Sequence, residues 1–158
     1  MATLQSLREE HRDLLPHLER LRDLADHTGD LESDELARRI AEAHDFLTGH
    51  LLRHARAEER VLYPEVGRAM GAAEATATMS RDHAEVERLT GELGELRDLP
   101  AYTAAHRRTL QRVLYGLYAL VGVHFAKEEE VYLPLLEERL SQEDVDGMIA
   151  AMHRVAQE

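Results

Sequence analysis

The chain of 158 residues carries a net charge of −12, with 44% apolar and 32% charged residues, a balance that fits one folded domain with a hydrophobic core. The acidic surplus makes nucleic acid and anionic membranes poor partners. The absence of cysteine excludes disulfides, thiolate metal sites, iron–sulfur clusters and thiol catalysis.

Met1 to Glu10 lack the apolar core of a signal peptide, and a cytoplasmic location is expected. Leu4, Leu7, Leu14, Leu18 and Leu21 recur at helical spacing and predict a first helix over about residues 2–27. The stretch His27-Thr28-Gly29-Asp30 breaks it, and Ser33 or Asp34 is expected to cap the next. Leu36, Ile40, Phe46, Leu47, Leu51 and Leu62 carry the second helix, which is expected to weaken at Pro64 and Gly67. A third helix spans about residues 72–97 and ends before Leu99-Pro100. The fourth runs over about 103–139 through Leu110, Leu114, Leu117, Val121 and Leu135, with a kink or interruption at Pro134. Its most apolar run, Leu114 to Val123, is far shorter than the ~20 residues that span a bilayer. Ser141 caps a short terminal helix over about 142–156, with Asp144 in its first turn. Four long amphipathic helices with short connections predict an all-α, up-down-up-down bundle, a single domain whose core covers about residues 2–140.

The two halves repeat each other. His54-Ala55-Arg56-Ala57-Glu58-Glu59 and His124-Phe125-Ala126-Lys127-Glu128-Glu129 both read His-x-x-x-Glu-Glu, and Pro64 and Pro134 follow ten positions after each histidine, all at an offset of 70. Earlier in each half stands an acid–histidine pair, Glu10-His11 and Asp82-His83, at an offset of 72. Each half is therefore a helical hairpin with one histidine on its first helix and His-x-x-x-Glu on its second.

At i and i+4, His54 and Glu58 lie about 40° apart on one helical face, as do His124 and Glu128. Those faces also carry Leu47, Leu51 and Leu62, or Leu117, Leu120 and Val121, so they are core faces. Buried imidazole and carboxylate need a compensating charge. A metal cation supplies it, and this donor set suits iron. In antiparallel hairpins His11, His83, His54 and His124 reach one level, and Glu58 and Glu128, on different helices, are placed to bridge two metals. A single His-x-x-x-Glu is common on solvated helices; two copies in frame, each with its proline, favour ligation.

His50 stands one turn before His54 where the other half has Leu120, and it is taken as a fifth histidine ligand. His17 falls off the ligand face of a regular helix. Glu87 makes another His-x-x-x-Glu with His83 but has no counterpart in the first helix. Glu59, Glu129 and Glu130 are read as solvated groups or as supports behind the ligands, and His27, His44, His106 and His153 as surface residues. Ferritin-like di-iron sites use Glu-x-x-His, and no histidine of this chain has glutamate three residues before it.

From Glu10-His11 to Pro134 the chain resembles the haemerythrin-like (HHE cation-binding) proteins. The resemblance implies a four-helix bundle with two non-haem irons, oxo- or hydroxo-bridged, and carries the ligand role onto His11, His54, Glu58, His83, His124 and Glu128. Oxygen-carrying haemerythrins have a second histidine where this chain has Glu87, and an aspartate five residues after the last histidine where this chain has Glu128 at four. The expected function is a di-iron protein that binds or reacts with a small diatomic or peroxide ligand (O2, H2O2 or NO), as a monomer or weak homo-oligomer. Catalase-like peroxide dismutation is the enzymatic form of that reading, and iron storage or sensing without catalysis is the alternative.

Overall fold

The computed structural model describes residues 3–158. The expected start of the first helix near residue 2 lies outside the described residues; α1 spans Gln5–Asp26. It buries Leu7, His11, Leu18, Leu21 and Leu24, one stripe at the 3.6-residue period. The second helix, α2, is continuous over residues 33–70, and the third, α3, spans Ala77–Glu95 after a short 3-10 turn, Ala73–Thr76. The fourth, α4, covers residues 104–139, and a terminal helix, α5, spans Gln142–Ala156. Helices α1 to α4 form the up-down-up-down bundle, and no strand occurs among the described residues. None of the described helices is long and apolar enough to cross a membrane.

Several helix ends follow local chemistry. Thr103 accepts from the His106 backbone N–H while the His106 side chain accepts from the Thr103 N–H, a reciprocal cap at the start of α4. Ser141 and Asp144 cap α5 in the same way. The second helix is different from expectation: Ser33 is its first residue, Glu32 holds the capping position, and neither caps with a side-chain bond. Asp34 and Glu35 in the first turn favour that end through the helix dipole instead.

The prolines do not interrupt their helices. Just before Pro64, residues Glu58–Leu62 form a π turn in which the Tyr63 N–H bonds back five residues to the Glu58 carbonyl. Glu128–Tyr132 form the same turn before Pro134, closed by Leu133 N–H on the Glu128 carbonyl. A π turn takes in one extra residue, which relieves the clash between a proline ring and the carbonyl four residues back. Nor does Gly67 weaken α2. A side chain there would press on the Ala72 carbonyl at 3.3 Å, so glycine lets the 3-10 turn pack closely. The helix ends instead at Gly71, whose φ of +67° suits glycine. A third π turn, Leu47–Leu51, lies higher in α2 and has no counterpart in α4.

Two apolar clusters fill the bundle. One is built on Leu18, Leu21, Ile40, Leu47, Leu93, Leu114 and Leu117. The other, on Leu7, Leu62, Val66, Met79, Leu133 and Leu136, is completed by Val145, Met148 and Met152 of α5. A layer of buried polar residues separates them: His11, His54, Glu58, His124 and Glu128, with His83 at its edge.

Candidate metal centre

Each bundle helix passes through the polar layer with apolar residues above and below. Along α2 the order is Leu51, His54, Glu58, Leu62, and along α4 it is Val121, His124, Glu128, Tyr132, all buried. The helical period that buries the leucines thus also turns the donors inward.

Glu58 is the hub of the layer. Its Oε1 lies 2.7 Å from His54 Nε2 and 3.7 Å from His11 Nε2, while its Oε2 lies 3.1 Å from His83 Nε2 and 3.9 Å from His124 Nε2. Glu128 spans the layer in the same sense, with Oε2 3.3 Å from His11 Nε2 and Oε1 3.4 Å from His124 Nε2. Two compact donor groups result, His11–His54–Glu58 and Glu58–His83–His124, which share Glu58. Among the described residues, His11 Nε2, His54 Nε2, both oxygens of Glu58 and Glu128 Oε2 are buried without a hydrogen-bond partner. Unpaired buried polar atoms are rare because each loses its water without compensation. Five of them converging on one layer is the signature of a cation site, so the donor set fits a metal.

Behind the donors runs a closed ring of four carboxylate–histidine links. Glu10 on α1 lies 3.3 Å from His54 Nδ1 on α2. From α2, Glu59 accepts from His83 Nδ1–H on α3 at 2.7 Å. Asp82 of α3 accepts from His124 Nδ1–H on α4 at 3.0 Å, and Glu129 of α4 from His11 Nδ1–H at 3.0 Å, which returns to α1. Each link sets the ring orientation and leaves Nε2 aimed at the centre, the arrangement that metal-bound histidines use. The acids are the in-frame partners of the two repeats, so their pairing in sequence was a readable signal of this ring.

Charge balance without metal falls to protons. Burial alone would lower the His11 imidazole, but Glu128 and Glu58 outweigh it and raise it to about 9. His124 is raised to about 10 by the same two carboxylates against its burial. His54 is held well above the ordinary value, with Glu58 and Glu10 overcoming burial. Burial would lower His83, but Glu58 outweighs it and raises it. Burial would raise Glu58, yet His54, His11 and His124 hold it well below the usual carboxylate range.

One participant carries no sequence motif. The Tyr63 hydroxyl donates to Glu128 Oε1 at 2.9 Å and lies 3.2 Å from His124 Nε2 and 3.4 Å from His83 Nε2. Its ring stacks on His83 with centroids 5.4 Å apart. Burial and the neighbouring carboxylates push the phenol far above its ordinary range, so it stays protonated. Beside the donors lies a small void of about 10 Å³, lined by His54, Glu58, His83 and His124 and by the apolar side chains of Leu51, Val86, Val121 and Phe125.

The structure brings His11, His54, Glu58, His83, His124 and Glu128 together and leaves His50 out. His50 is exposed, its ring 6.2 Å from that of Phe46, and it belongs to neither donor group. The place above His54 on the inner face is taken by Leu51, as Val121 takes it above His124. The π turn Leu47–Leu51 shifts the helical phase by about one residue, so the spacing expected for His50 does not hold. His17 stacks on Phe46 at 4.5 Å, and Glu87 and Glu130 are exposed. Glu59 and Glu129, by contrast, support histidines, and His153, read as a surface residue, is exposed but bound to Glu10.

An antiparallel four-helix bundle with a buried, carboxylate-centred histidine layer is the architecture of a metal-binding protein. The chain matches the model of the hemerythrin HHE cation binding domain over residues 2–136 and belongs to that family. Neither the curated proteins nor the solved structures yield a significant match to the chain.

Proposed function

We propose that the protein holds two non-haem irons and uses them to bind or react with O2, peroxide or NO. His11 and His54 would hold one iron, His83 and His124 the other, and Glu58 and Glu128 would bridge them. The observation that carries this reading is Glu58, whose two oxygens face two different pairs of histidines. Two imidazoles and two shared carboxylates per ion would leave positions free, and imidazole with carboxylate suits iron. When bound, such a pair supplies Lewis acidity and reversible one-electron chemistry.

The chain's own residues limit what reaches the centre and how it is held. Leu51, Val86, Val121 and Phe125 wall the void of about 10 Å³, room for a molecule of very few atoms. The same apolar wall keeps bulk water and bulky reductants from the donors. Tyr63 presents a protonated hydroxyl on the His83–His124 side and fixes Glu128 Oε1. The four outer carboxylates hold the imidazole planes and accept the Nδ1 protons.

Metal analysis and rapid mixing test the proposal together. The expected result is about two irons per chain and a near-ultraviolet absorption of a bridged iron pair, which changes when the reduced protein meets oxygen or peroxide. One zinc per chain, or no bound metal after gentle purification, overturns it. Two irons that exchange freely and stay inert to oxygen, peroxide and NO instead establish storage or sensing without catalysis.

A further inference from the structure

The two halves differ behind their donors, and α5 accounts for the difference. In the second half, Asp82 holds His124 and is itself bound by Lys127, the chain's only lysine. At the offset of 70, the first half has Ala57 where the second has Lys127. Ala57 is buried against α5 in the same cluster as Met148 and Met152. Yet Glu10, the acid that faces His54, does not lack a partner: His153 of α5 lies with Nε2 3.0 Å from Glu10 Oε1. The other oxygen, Oε2, is the one that faces His54 Nδ1 at 3.3 Å. His153 and Lys127 thus occupy equivalent posts, reached from different helices, and α5 lies wholly beyond residue 136, where the family match ends.

We propose that α5 is a working part of the metal centre, with His153 as the positioning residue that fixes Glu10 and through it His54. The inference rests on the metal reading above. Glu10 is about one-third exposed, whereas Asp82 is half as open, so Glu10 has more freedom to turn into solvent. Ala57 is too short to reach it; the small side chain instead lets α5 approach closely enough for His153 to do so. Without that bond Glu10 swings into the neighbouring groove, and His54 loses the contact that aims its Nε2 at Glu58 Oε1. The effect is confined to the His11–His54 side, because His124 keeps Asp82 and Lys127.

The test compares the metal-loaded full chain with its His153→Ala and His153→Lys variants, following release to excess chelator and the absorption spectrum. In His153→Ala about half the metal is expected to leave ~10-fold faster, the lower end of what outer supports contribute, with a shifted spectrum. Lysine donates to Glu10 again and restores the parent rate. The metal-free His153→Ala chain melts within ~2 °C of the parent, since an exposed pair contributes little to stability. Release at the parent rate, or a uniform acceleration that lysine does not reverse, overturns the inference. A parent chain without bound metal overturns both this inference and the metal reading; a loaded parent with unchanged release in His153→Ala overturns this inference alone.

Discussion

The Tyr63 hydroxyl crosses the bundle to donate to Glu128 at 2.9 Å, from a position where the other half of the chain carries Leu133. The repeat is therefore symmetric in its donors and asymmetric beside them. The His83–His124 side of the layer faces this hydroxyl, whereas His11 on the other side stacks on Phe125, so the two donor groups meet different surroundings.

Tyr63→Phe keeps the ring on His83 and removes only the oxygen. The metal-free variant is expected to lose about 1.5–3 kcal/mol, the contribution of a buried hydrogen bond to a charged acceptor. Metal content should stay at the parent level while reaction with peroxide slows by about 100-fold, the scale of losing one preorganised donor. Thermal melts and stopped-flow traces of the same preparation check both; an unchanged rate removes Tyr63 from the chemistry.

His124→Ala removes a buried imidazole and leaves Glu128 with less compensation. Breaking such a pair costs about 3–5 kcal/mol, and metal content should fall along with the melting temperature. His106→Ala serves as the contrast. It loses half of the reciprocal cap with Thr103, a cost of about 1 kcal/mol, and should retain the full metal load. Equal metal content in the two variants contradicts the assignment of His124.

His50→Leu is expected to leave metal content, absorption spectrum and azide affinity unchanged, because His50 is exposed on Phe46 and outside both donor groups. A spectral shift in this variant would bring His50 back toward the donor layer.

The pH dependence of the metal-free chain follows from the imidazoles. Groups raised on folding, His11 to about 9 and His124 to about 10, contribute stability that is complete below the unfolded value near 6.5. That contribution fades as pH rises through 9 to 10. Glu58, lowered on folding, contributes above the ordinary carboxylate value and less as pH falls through its own. The metal-free melting temperature should therefore decline between about pH 6.5 and 10. The loaded chain should not decline in the same window, because metal has replaced the protons. Parallel declines in calorimetry of both forms would contradict this account.

The helices, their order and the six inward donors were legible in the sequence, because burial imposes the 3.6-residue period and the 70-residue repeat doubles the signal. The HHE cation-binding family was legible on the same residues, and the match over residues 2–136 shows it. What tertiary structure alone decided are the relations between helices and the phase within them. The π turns before Pro64 and Pro134 keep α2 and α4 continuous, and the turn at Leu47–Leu51 turns His50 outward. Each shifts the helical phase by one residue, which a pattern read at constant period does not contain. Tyr63 meets Glu128, and His153 meets Glu10, across 65 and 143 residues of chain. Such contacts depend on how close two helices pack, and small residues such as Ala57, buried against α5, help to set that distance while carrying no chemistry of their own.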